Sequence, residues 1–192
     1  MSEVRSPRSE VRTPENTGAM VRRSHSRRLR ASTPRLRTLV VGYGNPLRSD
    51  DGFGWQVSQI LAGTLTGCEV EVIACHQLTP ELAEPLSRCA LAIFLDAEAR
   101  GIPGQIHCRK LKPASPTPQA FTHHCGPAQL LANAERLYGS RPEGISITVS
   151  AERFGFGDKL SPAVSAAVPK VLARVHRLVK HPPNRASGRR KK

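Results

Sequence analysis

Two adjacent carboxylates, Asp50 and Asp51, lie in "LVVGYGNPLRSDDGFG" (39–54), between a glycine turn and an apolar helical pattern. An Asp at a helix start usually caps it, an interaction worth about 1 kcal/mol. One Asp suffices for that. The second is free to face solvent, where a carboxylate on a preformed turn can ligate a hard or borderline cation or act as a general base on water. The other donors with suitable chemistry are His76, after a strand-like run, and His123 and His124, in a Pro-rich irregular stretch. Their spacing is no metal signature, so a metal site here depends on the fold gathering them. Cys125 adjoins both histidines, but sequence adjacency does not place an imidazole on a thiol, and the chain has no G-x-S-x-G elbow. A Cys125 nucleophile is therefore the weaker reading.

The same turn invites a nucleotide-binding interpretation. Gly42 and Gly44 fit the first two positions of G-x-G-x-x-G, but Leu47 replaces the third glycine and Pro46 removes a backbone donor. Two carboxylates beside a phosphate would add repulsion. The turn suits a cation better than a pyrophosphate.

These residues need elements to hold them. "TLVVGY" (38–43), "EVEVIAC" (69–75), "ALAIFLDA" (90–97), "QIHCRKL" (105–111) and "GISITVSA" (144–151) read as strands. The third is apolar throughout, as expected of a strand covered on both faces, and the fourth alternates like an edge. Helical patterns fall in "FGWQVSQILAG", "TPELAEPLSRC" with Thr79 as its N-cap, "AQLLANAERLYG", and "AVSAAVPKVLARVHRLVK" with a kink expected at Pro169. Strands alternating with helices predict an α/β fold, a three-layer α/β/α sandwich with a mostly parallel, roughly five-stranded sheet. Ligands of such sheets sit beyond the C-terminal strand ends. Asp50, Asp51, His76, Asp96 and the histidine loop all belong to segments that could reach that rim.

The net charge of +14 is a property of the ends. Residues 1–37 hold ten Arg, no Lys and three Glu, residues 174–192 hold eight basic residues and no acid, and residues 38–173 hold 11 basic and 12 acidic residues. We therefore expect a basic, disordered N-terminal tail (1–37), one α/β domain (38–178) and a basic C-terminal tail (179–192). Basic tails poor in aromatics attract polyanions without reading them, so no specific nucleic acid is expected. The first segment has the composition of a transit peptide, and Met20 offers an alternative start. No apolar run approaches the roughly 18 residues of a membrane span. Five cysteines without a C-x-x-C pair argue against a disulfide framework or zinc site. A soluble, cytoplasmic monomer without an organic cofactor is the expectation.

The acid-bearing turn, together with "HQLTPELAEPL", "AIFLDA", a His-containing loop before "LLANAERLYG" and "LSPAVSAAVPKVL", resembles the hydrogenase maturation endopeptidases over residues 38 to about 178. That resemblance implies the same sandwich fold and a protease that removes the C-terminal extension of a nickel-iron hydrogenase large-subunit precursor once nickel is in place. Nickel, delivered with the precursor, would be recognised through carboxylate and imidazole ligands. By position, the family's turn acid falls on Asp51 and its loop histidine on His123, with His124 adjacent. Where much of the family has an Asp after the second strand this chain has "ACHQLTPEL", so His76, with Glu81 behind it, takes that place. Asp96 matches an Asp at the end of the third strand, either bracing the turn or orienting a ligand. Asp51 or Asp50 would serve as general base. Two other classes remain: a non-catalytic module binding nickel or the precursor on the same fold, and nucleic-acid binding through the basic tails.

Overall fold

A computed structural model describes residues 38–65, 67, 69–115 and 125–183. The expectations placed on residues 1–37, on His123 and His124 and on the chain beyond 183 fall outside the described residues. Five strands, β1 (Thr38–Tyr43), β2 (Val70–Cys75), β3 (Leu91–Glu98), β4 (Ile106–Leu111) and β5 (Glu143–Ser150), form one sheet in the order β2-β1-β3-β5-β4. All neighbours are parallel except β4, which pairs antiparallel with β5 at one edge. The helices are α1 (Phe53–Thr64), α2 (Ala83–Arg88), α3 (Pro127–Tyr138) and α4 (Pro162–Lys180).

Strand alternation divides the core into two layers. Val40, Leu91, Ile93, Leu95, Ile147 and Val149 point to the face covered by Phe53, Val57 and Leu61 of α1 and Val164, Val171 and Val175 of α4. Leu39, Val41, Ala92 and Phe94 point to the other, against Leu86 of α2 and Leu130, Leu131 and Ala134 of α3. In β3, residues 91–95 are buried on both faces, as the unbroken apolar run predicts. The expected α/β/α sandwich is the observed fold.

Local differences have physical causes. The expected helix at 79–89 begins as a 3-10 turn, Pro80–Leu82, before the short α2, and the Thr79 side chain makes no capping bond. Its hydroxyl bonds Glu81 instead. Helix α4 runs through Pro169 without a break. Among the described residues, no helix is long and apolar enough to cross a membrane.

Candidate active site

The glycine turn is shaped by close packing. A side chain on Gly54 would meet the backbone oxygens of Leu95 and Tyr43 at 2.2 and 2.5 Å, so α1 lies directly on β1 and β3. Gly44 has φ of +130°, and a Cβ there would sit 1.8 Å from the Asp51 carbonyl oxygen. The chain after β1 therefore folds back on itself. A 3-10 turn, Ser49–Gly52, then delivers both acids at the C-terminal end of β1.

The two acids have different work. Asp50 is fully buried. Its Oδ2 accepts from the backbone N–H groups of Glu152 (2.9 Å) and Arg153 (3.1 Å), and its Oδ1 from that of Ser161 (2.6 Å). Burial by itself would raise its pKa, but these donors, with the Ser161 hydroxyl, outweigh it and hold the carboxyl below its usual range. Neither acid caps α1 with its side chain. Asp50 instead fastens the loop after β5, and a buried carboxylate so occupied is inaccessible to a substrate water. That removes the structural basis for Asp50 as general base.

Around this anchor the turn and the β5–α4 loop form a short ladder. Ser49 N–H donates to Gly157 O (2.7 Å), Asp50 N–H to Arg153 O (3.3 Å) and Gly157 N–H to Leu47 O (3.1 Å). Gln56 Nε2 adds a bond to Asp158 O (3.3 Å).

Asp51 is half-buried. Its Oδ2 accepts from Asn45 N–H (3.0 Å), and Asn45 Oδ1 accepts from Leu47 N–H (3.0 Å), so the turn holds one edge of the Asp51 carboxylate. The negative charge of Asp51 reaches Asp96, at the end of the adjacent strand β3. Asp96 is pushed up to about 6, first by burial and then by the charges of Asp51 and Glu98, against the Tyr43 hydroxyl and the Ala97 N–H (2.8 Å to Oδ1), which favour its charged form. Tyr43, at the end of β1, is itself raised by burial and by Asp96, which keeps its hydroxyl a donor. Two carboxylates, one on the turn after β1 and one near the end of β3, thus share one partly desolvated rim. A cation set against them would offset both the burial and the mutual repulsion.

The remaining sequence candidates fall as follows. His76 is exposed on the turn after β2. Among the described residues no three His, Cys, Asp or Glu side chains converge as a metal site. Glu81 is fully exposed, and its carboxyl is lowered by the Thr79 hydroxyl. Cys125, the covalent neighbour of His124, packs against the Leu39 layer and lies within reach of the charge of Glu81. Burial and that charge raise its thiol, the wrong direction for a nucleophile. The coupling of Asp96 to Asp51 and the hydroxyl of Tyr43 were not apparent from residue types. An acid closing the strand next to β1 is the signal that points to them.

No protein-family model matches the chain, and no curated protein sequence matches it. Solved structures do. A hydrogenase 2 maturation peptidase from Thaumarchaeota archaeon SCGC_AB-539-E09 is 25% identical, with a TM-score of 0.58 over 75% of this chain and 98% of that one. The hydrogenase maturating endopeptidase HybD from E. coli is 23% identical (TM-score 0.59, covering 76% and 93%). The [NiFe] hydrogenase maturation protease HycI from Thermococcus kodakarensis KOD1 is 19% identical (TM-score 0.61, covering 77% and 95%). The chain thus shares the fold of these hydrogenase maturation proteases, and the likeness spans nearly the whole of each of them.

Proposed function

We propose that the chain is an endopeptidase that removes the C-terminal extension of a nickel-iron hydrogenase large-subunit precursor after nickel insertion. The observation that supports the reading is the placement of Asp51, on the turn after β1, and Asp96, near the end of β3, on one rim of a fold shared with solved hydrogenase maturation proteases. Asp51 on the turn after β1 and Asp96 near the end of β3 offer a pair of oxygen donors, and the resemblance adds His123 or His124, outside the described residues; carboxylate and imidazole together suit a divalent metal of borderline hardness. Nickel arrives as part of the substrate, bound to the precursor, and its capture seats the scissile bond on the rim.

Proximity is the first contribution of such capture, since a peptide bond fixed beside a catalytic carboxylate reacts as an intramolecular partner. Asp51 is the general base for the attacking water, because its Oδ2 is held by Asn45 N–H while no bond occupies its Oδ1 among the described residues. Asp96, braced by Tyr43 and Ala97 N–H, supplies the second carboxylate ligand in place of His76. The test is incubation with a nickel-loaded precursor followed by intact-mass measurement. Loss of a C-terminal fragment is expected, and an unchanged mass with the cognate precursor overturns the reading.

A further inference from the structure

Three neighbouring strands each end in a rim loop that carries a large apolar side chain exposed to solvent. Leu47 follows β1 (62% exposed), Ile102 follows β3 (74%) and Phe156 follows β5 (98%). Scattered apolar residues on a surface need no explanation. These three are different because they lie on consecutive strands at one edge, the edge that holds Asp51 and Asp96. Phe156 is nearly free of contact, whereas Phe53 and Phe94 are fully buried.

The loops are also joined. Gly157 N–H donates to Leu47 O (3.1 Å), which ties Phe156 to Leu47. Gly104 N–H donates to Ser150 O (2.8 Å) and Ser150 N–H to Gln105 O (2.8 Å), which ties the Ile102 loop to the end of β5. Buried Asp50 fixes Glu152, Arg153 and Ser161 from below. Exposed apolar groups on so well bonded a frame are preorganised for contact, and little ordering entropy is lost when a partner covers them.

Each apolar residue has an exposed arginine close by in its loop. Arg48 follows Leu47, Arg100 precedes Ile102 and Arg153 precedes Phe156. Lys159 adds a further cation; the exposed acids on these loops are Glu152 and Asp158, with Asp51 half-buried and Asp50 buried in the turn after Arg48. Apolar anchors fringed by arginines are the composition of a protein interface, and the cationic fringe complements carboxylates on the partner.

We propose that Leu47, Ile102 and Phe156, with Arg48, Arg100 and Arg153, form the docking face for the body of the large-subunit precursor, receiving an apolar patch fringed by carboxylates. This deepens the proposed function and rests on it. Docking on the three loops brings the precursor's C-terminal region over the Asp51 and Asp96 carboxylates, so recognition of the folded body and cleavage of its tail are adjacent on one rim.

The test uses the full chain and its nickel-loaded precursor, with KM and kcat measured for wild type, Phe156→Ala, and Leu47→Ala combined with Phe156→Ala. Both side chains are exposed, so the melting temperature is expected to stay within about 2 °C of wild type, as for surface substitutions. KM is expected to rise about tenfold in the single variant and about a hundredfold in the double, with kcat within about threefold, as for truncated interface anchors. Phe156→Leu, which keeps an apolar anchor, should recover most of the loss, and Arg153→Glu should raise KM most at low salt. Wild-type processing with an unchanged KM in the double variant overturns the docking face and leaves the protease intact. Loss of self-association by the double variant in sedimentation, at unchanged KM, likewise overturns it and assigns the face to a second copy. A wild-type chain that leaves the loaded precursor uncut overturns the function, and the docking face with it.

Discussion

Asp50 and Ser161 are joined across 111 residues by a 2.6 Å bond from the Ser161 N–H to Asp50 Oδ1. Ser161 is also the N-cap of α4, where its Oγ accepts from Val164 N–H at 3.4 Å. One buried carboxylate therefore fixes the acid-bearing turn, the β5–α4 loop and the start of the last helix. Asp50→Ala leaves three backbone donors, that of Ser161 buried and those of Glu152 and Arg153 part-buried, without their acceptor and should cost about 3 kcal/mol in urea unfolding. Because the Asp50 carboxyl is lowered from 3.8 in the folded chain, its stabilisation is fully present above pH 3.8 and is lost as the pH falls through the depressed value. The difference in stability between wild type and Asp50→Ala should shrink only in that acid range.

Asp96 has the opposite sign. Its carboxyl stands at about 6 in the folded chain against 3.8 ordinarily, so the folded state holds a proton that the unfolded state has released. The stability it contributes is fully present below pH 3.8 and is lost as the pH rises through about 6, a change of about 3 kcal/mol on this one group. Unfolding at pH 4.5 and pH 7.5 should show Asp96→Asn gaining on wild type at the higher pH. Equal differences at both pH values would contradict the burial of Asp96 as an ionisable group.

Gly54 is where α1 crosses the sheet. A methyl group there would meet two backbone oxygens within 2.5 Å, and neither strand can move aside. Gly54→Ala should cost about 3 kcal/mol or more, visible as a lowered thermal midpoint or as insoluble protein. Gly63→Ala, where nothing lies within 4 Å, should be neutral or mildly stabilising and serves as the control.

Ligand assignments can be separated by substitution. His123→Ala should abolish processing if the loop histidine completes the donor set, and Cys125→Ser should not affect it. His76→Ala is the informative case, because His76 is exposed while Asp96 is coupled to Asp51. Precursor processing within about fivefold of wild type assigns the second protein ligand to Asp96, and a loss of 10²-fold or more returns it to His76.

The sequence carried the architecture because strand and helix periods are local signals. The doubly buried run at 91–95 and the closure of α3 at Gly139 were readable from residue types alone. The division of labour between Asp50 and Asp51 was not. Capping rules assign an acid to its own helix, but the donors to Asp50 come from residues about a hundred positions away, where the β5–α4 loop folds onto the turn. The elevation of Asp96 is similarly non-local, arising from burial and from Asp51 on another segment. Thr79 shows the limit on a smaller scale: its hydroxyl had a choice between its helix and Glu81, and residue type alone does not decide that contest.

The most direct measurement is cleavage of nickel-loaded and nickel-free large-subunit precursor by wild type, Asp51→Asn and Asp96→Asn, followed by intact mass. Asn keeps an acceptor for Asn45 N–H in the first variant and for Ala97 N–H in the second, so both should fold. The expected result is shortening of the loaded precursor alone, slowed by 10²-fold or more in each variant. Unchanged processing in both variants, or equal cleavage of the nickel-free precursor, would contradict an acid pair that recognises nickel on the rim.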